Sequence, residues 1–271
     1  MCQNHDLEAE FFFEIGLRQS EEGDNEAAVI SFDKARHFKP NHDAAWNNRG
    51  IALKKLGRIQ EALASYDKAL EIKPDLDEVW NNRGIVLDEL ERTEEAIASF
   101  DKALEFKPHN DTAWYNRGNA LKQLGRFEEA IASYDKAIES KPDDDEAWYN
   151  RANTLAQLGQ TEQAIISYDQ ALKFKPNKGE AWYNRGIALD ELRRFEEAIA
   201  SYDNALELDP DDDEAWYNKA RCYALLKLVD LAIENLQQAI NLNPEENREM
   251  AITDPDFDTI RADSRFQALI G

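Results

Sequence analysis

Six asparagines recur every 34 residues: Asn48, Asn82, Asn116, Asn150, Asn184 and Asn218. An amide side chain carries both a donor and an acceptor, so a row of them suits the backbone of an extended chain. Tyr115, Tyr149, Tyr183 and Tyr217 each stand one residue before an asparagine of the row, and Asn47 and Asn81 hold the same place earlier. Tyrosine offers rigid apolar area with a polar tip, a common recognition surface. A third ladder is cationic: Arg49, Arg83, Arg117, Arg151 and Arg185, then Lys219. Two uses are open to it. Guanidinium groups at a fixed interval hold phosphates or carboxylates, or each pairs with an acid of the chain itself: Asp33, Asp67, Asp101, Asp135, Asp169 or Asp203. The 34-residue segment that has Lys219 for Arg also has Gln237 for Asp, which favours the second use.

Other residues with chemical potential read as structural. His5, His37, His42 and His109 lack a helical HxxxH spacing and are expected to be solvated, not metal ligands. The acidic runs at 143–146 and 211–214 lack the central Gly and terminal Glu of a calcium loop and read as helix caps. Cys222 stands where related positions hold Ala52, Val86, Ala120, Thr154 and Ala188, so it is expected to be a small buried residue. No phosphate loop, dinucleotide fingerprint or nucleophile elbow occurs. The expectation is a protein that is not an enzyme and uses no cofactor or metal.

Charge narrows the partners. With 55 Asp and Glu against 32 Lys and Arg, the net charge is -23, which argues against nucleic acid and anionic membrane surfaces. No apolar run approaches the length of a membrane span and the first residues lack a signal core, so no membrane insertion and a cytoplasmic location are expected.

The positioning elements follow from a second periodicity. All six tryptophans (Trp46, Trp80, Trp114, Trp148, Trp182 and Trp216) and seven of the eight prolines (Pro40 to Pro244) keep the same 34-residue interval. Within one interval, Trp114, Gly118, Leu121 and Leu124 form the stripe of a first helix, and Gly125 ends it. Ala130, Tyr134, Ala137 and Ile138 share one face of a second helix, which Pro142 stops. Asp and Asn after each proline supply caps. The tryptophans are expected to be largely buried.

This pattern resembles the tetratricopeptide repeat, and the WYNRG wording is similar to bacterial, especially cyanobacterial, members. The resemblance implies an all-α, right-handed superhelical solenoid of antiparallel helix pairs. Seven repeats are read at 9–42, 43–76, 77–110, 111–144, 145–178, 179–212 and 213–246, after an N-terminal extension (1–8) and before a C-terminal capping segment (247–271). Met250 falls where an eighth Trp would stand, Asp254-Pro255 breaks the helix, and Phe257, Ile260, Phe266, Leu269 and Ile270 give an amphipathic cover. Glu91, Arg193 and Lys227 replace the helix-ending glycine, and Ala152 and Ala220 the packing glycine. At the other end Phe11 takes a place held later by Ala or Val, with no preceding repeat. Phe11 and Phe13 therefore need a cover, either the first eight residues or another chain, and self-association there is an expectation.

Relative to each Trp, positions -2, +1, +5 and +8 share a helical face distinct from the buried stripe. The family resemblance implies that this face, with position +2, lines a concave peptide-binding groove. Repeats 111–144 and 179–212 agree at 24 of 34 positions. Their differences include Thr112/Glu180, Asn119/Ile187, Lys122/Asp190 and Gln123/Glu191, at -2, +5, +8 and +9. The candidate groove residues are Asn82, Tyr115, Asn116, Asn119, Tyr149, Asn150, Asn153, Glu180, Tyr183, Asn184, Asp190, Tyr217 and Asn218. Glu146, Glu180, Asp190, Glu191 and Glu214 suggest a partner segment carrying Lys or Arg, its cations stacking on Tyr149, Tyr183 and Tyr217. The expected function is a non-enzymatic protein–protein interaction scaffold. The alternative is a regulatory or assembly subunit docking a larger complex through its ends or convex face. A carboxylate clamp for chaperone tails is disfavoured, since Glu78, Asn81, Asn82, Thr112 and Asn116 lack its cations.

Overall fold

The computed structural model describes residues 2–271, with side chains from residue 5 onward. The described residues contain helices and turns and no strand. They divide into two compact units, 2–142 and 143–271.

The first unit is four helix hairpins: α1 (Cys2–Glu21) with α2 (Asn25–Phe38), α3 (Asp43–Lys55) with α4 (Ile59–Ile72), α5 (Asp77–Glu89) with α6 (Thr93–Phe106), and α7 (Asp111–Gln123) with α8 (Phe127–Ser140). Within this unit α2 packs on α3, α4 on α5 and α6 on α7. Residues 2–8 continue α1 and do not fold back as a separate cover. The second unit repeats the hairpin with α9 (Asp145–Gln157) and α10 (Thr161–Phe174), α11 (Gly179–Glu191) and α12 (Phe195–Leu208), and α13 (Asp213–Leu225) and α14 (Val229–Leu242). It closes with α15 (Pro244–Thr253), a 3-10 turn (Pro255–Phe257) and α16 (Ser264–Ile270).

The core is built from small residues on the first helix of each hairpin and an aromatic ring on the second. Ala45, Ala113, Ala147, Ala181 and Ala215 have no exposed surface. Tyr66, Phe100, Tyr134, Tyr168 and Tyr202 are also fully enclosed or nearly so. A Cβ at Gly118 would meet the Tyr134 ring at 2.6 Å, which explains the glycine. At the helix ends, Glu91, Arg193 and Lys227 keep the left-handed backbone of the glycines they replace, at φ 58°, 57° and 61°, a conformation strained for a residue with a Cβ. Asp24, Asn110, Asp144 and Asp212 cap their helices through side-chain oxygens. Phe257, Ile260 and Phe266 are buried against α13 and α14, covering the last apolar face.

Three expectations change. The tryptophans are half-buried, because each indole lies at the edge of its hairpin with its N–H turned outward to the chain before the helix. Trp80 and Trp114 Nε1 donate to the carbonyls of Pro74 and Pro108 at 2.8 Å, and Trp182 and Trp216 to Pro176 and Pro210. The proline beat and the tryptophan beat are thus one device. His42 is not solvated: it is buried, its Nδ1 accepts from the Ala45 N–H at 3.4 Å, and its Nε2 has no hydrogen-bond partner. Phe13 is half-buried and packs on Phe32 and His42, so of the two phenylalanines only Phe11 is exposed.

Candidate functional site

The cationic ladder is spent inside the fold. Arg49 Nε donates to Asp33, Arg83 to Asp67, Arg117 to Asp101 and Arg185 to Asp169, each at 2.7 Å. Lys219 binds Asp203 at 2.6 Å. The acid lies 16 residues before the cation, on the preceding hairpin, so the pairing ties neighbours together. Gln237 is therefore not the counterpart of Lys219. A serine 16 residues after each arginine completes the motif: Nη1 reaches Ser65, Ser99, Ser133, Ser167 and Ser201 at 2.6–2.7 Å. In the last hairpin that serine is Asn235, and the residue that changes with it is Lys219. The guanidinium groups also lie over the tryptophan rings, at 5.7 Å for Trp80 and Trp114 and 5.8 Å for Trp182. Buried charge is tolerable only when paired in this way.

The asparagine ladder is likewise partly structural. In the first unit Asn82 donates to Asn47 at 3.4 Å and Asn116 to Asn81 at 3.1 Å. In the second, Asn184 donates to the Tyr149 hydroxyl at 3.1 Å and Asn218 to that of Tyr183 at 3.2 Å. Each amide therefore links its hairpin to the one before. Asn150 Nδ2 donates within its own helix, to the Glu146 carbonyl at 3.0 Å. Asn119 and Asn153 accept from Tyr134 and Tyr168 at 2.8 and 2.6 Å.

The tyrosine hydroxyls point at acids of the next hairpin: Tyr149 donates to Glu180 at 3.2 Å and Tyr183 to Glu214 at 2.8 Å. Burial pushes the Tyr183 hydroxyl's pKa up, and the Glu214 carboxylate adds to the shift. Tyr217 is a correction: it is buried and donates to Asp254 at 3.0 Å, because the C-terminal turn covers it. Two cations missed in the sequence also alter the charge picture. Lys178 binds Glu146 and lies 4.7 Å from the centre of the Tyr149 ring, a place expected for a ligand. Arg221 binds Asp256 and approaches Asp254 at 3.3 Å and Asp190 at 3.7 Å, so Asp190 is not an uncompensated acid. Arg221 occupies the +5 position of its helix, where it was legible as the one cation on that face of the last hairpin.

The structure nevertheless brings part of the candidate set together. In the second unit Tyr149, Glu180, Tyr183 and Asn184 line one depression of about 430 Å³. Asp190 and Asn218 line another of about 550 Å³, with Ile187, Phe195, Tyr202 and Arg221. In the first unit the corresponding face carries Asn82, Tyr115, Asn116 and Asn119, all half-buried. No three His, Cys, Asp or Glu side chains are placed to hold a metal among the described residues, and no described helix is long and apolar enough to cross a membrane. Cys222 is fully buried, and burial pushes its thiol pKa up.

Hairpins of two helices, repeated on one interval and locked by a shared Trp–Pro and Arg–Asp–Ser pattern, define a helical repeat protein. Family profiles described as TPR repeat match 89–125 and 118–159. Profiles described as tetratricopeptide repeat match 44–76, 65–98, 145–178 and 183–247. Together they cover well over half of the sequence, and the chain belongs to the tetratricopeptide-repeat family. An uncharacterized protein of Methanocaldococcus jannaschii is 38% identical over 53 residues, 20% of this chain, and the match spans 62% of that relative's length. Among solved structures, YrrB, described as a TPR protein with an unusual peptide-binding site, is 27% identical with a TM-score of 0.62, over 66% of this chain and 93% of that one. The C-terminal part of a TPR repeat-containing protein from Cytophaga hutchinsonii shares the fold at a TM-score of 0.75 and 16% identity, over 88% of this chain and 98% of that one.

Proposed function

We propose that the protein is a protein–protein interaction scaffold that holds a segment of a partner on the face of its first helices. The observation that carries this reading is the depression formed by Tyr149, Glu180, Tyr183 and Asn184. Two half-buried rings stand there, on a scaffold whose arginine ladder is bonded within the fold. The described peptide-binding site of YrrB supports the same mode by similarity. The carboxylates of Glu180 and Glu214 favour a segment carrying Lys or Arg, with hydrogen bonds from Tyr149 and Tyr183 orienting them. The other groove candidates fill supporting roles: Asn82, Asn116 and Asn218 tie neighbouring hairpins together, Asn150 bonds within its own helix, and Asn119 and Asn153 hold the buried tyrosines.

Capture of partners from an extract of the native host tests the reading. Tyr149→Ala and Tyr183→Ala are expected to lose the partner, whereas Glu207→Lys, on the exposed side of α12, retains it. Loss with Glu207→Lys alone would favour docking through the opposite face, as a regulatory or assembly subunit does.

A second reading rests on the N-terminal end. Leu7, Phe11 and Ile30 are 71%, 58% and 56% exposed, an apolar concentration suited to self-association or partner docking. Phe13 contributes only indirectly, by holding α1 on α2. Light scattering of Phe11→Ser checks this: an unchanged mass and unchanged partner capture would discard it.

A further inference from the structure

The second depression of the second unit holds an unpaired group. Tyr202 lines it, and its hydroxyl is buried without a hydrogen-bond partner. The equivalent hydroxyls of Tyr134 and Tyr168 donate to Asn119 and Asn153. On α11 the matching residue is Ile187, which has nothing to offer. Buried polar groups are nearly always satisfied, so an orphan of this kind marks a place where something else binds.

The walls indicate what that is. Ile187, Phe195 and Leu225 are apolar, and Asp190, Glu191 and Asp256 bring carboxylates. The half-buried donor already present is committed: Arg221 bonds Asp256 and Asn218, while the Arg193 guanidinium, on an exposed residue, lies over the Phe195 ring at 5.2 Å. Ionised carboxylates only accept, so lone pairs are in excess. A ligand entering here must donate hydrogen bonds, carry positive charge and present an apolar stem. A lysine or arginine side chain has all three properties.

We propose that this pocket receives a lysine or arginine side chain of the partner segment, its stem against Ile187, Phe195 and Leu225 and its head among Asp190, Glu191 and Asp256, with the Tyr202 hydroxyl as a further acceptor. The proposal rests on the groove reading above and names the chemistry of its ligand. It also gives a purpose to Ile187, where α7 and α9 carry Asn119 and Asn153: the isoleucine supplies apolar wall for the stem and leaves the hydroxyl without an internal partner.

A random-peptide display library, selected on the full chain, is the probe. Binders are expected to be enriched in Lys or Arg. Tyr202→Phe removes only the hydroxyl, and α6 already carries Phe100 at that place. Ile187→Asn restores the internal partner found in two sister hairpins. Each variant is expected to bind the selected peptides roughly tenfold more weakly while its thermal unfolding temperature stays the same or rises. Peptides without basic enrichment, or native affinity in both variants, would overturn the pocket. If Tyr149→Ala then still abolishes binding, the groove reading stands alone. Recovery of no binders at all would overturn both.

Discussion

The hairpins α7–α8 and α11–α12 share most of their sequence and use it differently. Both place an arginine on an aspartate of the preceding hairpin and on a serine of their own, at nearly the same distances. Both enclose a tyrosine against a glycine that leaves room for its ring. In α7–α8 the tyrosine hydroxyl is satisfied by Asn119. In α11–α12 Ile187 leaves Tyr202 unsatisfied. The glycine that ends α7, Gly125 at φ 72°, has become Arg193 at φ 57°. On the first helix and its turn the differences fall on the open face, at the helix start and at Gly125/Arg193; the rest lie on or just after the second helix, including the conservative Ile138/Leu206, whereas the Trp, Gly, Arg, Ser and Tyr that hold the hairpin are identical. The repeat thus separates residues that maintain the fold from residues free to recognise.

The largest test of this separation removes the enclosed ring. Tyr134→Ala and Tyr202→Ala are both expected to destabilise by about 3–5 kcal/mol, measured by denaturant unfolding. Strongly unequal losses would break the claim that the two hairpins share a scaffold. A finer comparison removes only the hydroxyl. Tyr134→Phe leaves Asn119 without its donor and is expected to cost about 1 kcal/mol. Tyr202→Phe removes an orphan and is expected to be neutral or slightly stabilising.

The turns give a smaller contrast. Arg193→Gly relieves a left-handed backbone and is expected to stabilise by about 1 kcal/mol, and Gly125→Ala to cost about as much. Equal and negligible effects in thermal melts would show that the turn is unstrained in both.

The smallest effect is a pH dependence at His42. Burial holds its imidazole pKa below the ordinary 6.5, against the opposing pull of Glu10. The unfolded chain therefore takes up this proton more readily than the folded one. The contribution of the neutral ring is full above pH 6.5 and is lost as pH falls through the lowered folded value. Asn110 caps α7 at the equivalent place without titrating. The variant His42→Asn is expected to flatten the stability profile between about pH 7 and pH 5. An unchanged slope would assign the acid sensitivity elsewhere.

Much of the fold was legible in the sequence, since the tryptophan and proline intervals alone define the hairpins. The Arg–Asp pairing was legible in residue type but not in direction. Spacing cannot say whether a cation reaches the acid of its own hairpin or of the previous one, because stacking decides that. The serine ladder kept the same interval and was missed, as small hydroxyls carry little signal until an arginine is seen to reach them. Tyr217 and Asp190 were misjudged for one reason: the C-terminal turn brings Asp254 and Asp256 onto α13 and draws Arg221 between them and Asp190, a contact no periodic pattern encodes. The tryptophans stay half-buried because the indole N–H serves the proline carbonyl at the hairpin edge.

The most direct measurement exchanges the open face and leaves the scaffold intact. The triple variant Glu180→Thr, Ile187→Asn, Glu191→Gln gives α11 the residues of α7 while keeping Asp190 beside Arg221. The glutamine introduced by Glu191→Gln can still accept from Thr161, as Gln123 does from Thr93 at 3.3 Å. Denaturant unfolding is expected to stay within about 1 kcal/mol of the native chain, while affinity for peptides selected on the native chain falls by roughly tenfold or more. Undiminished affinity in a fully folded variant would contradict the account.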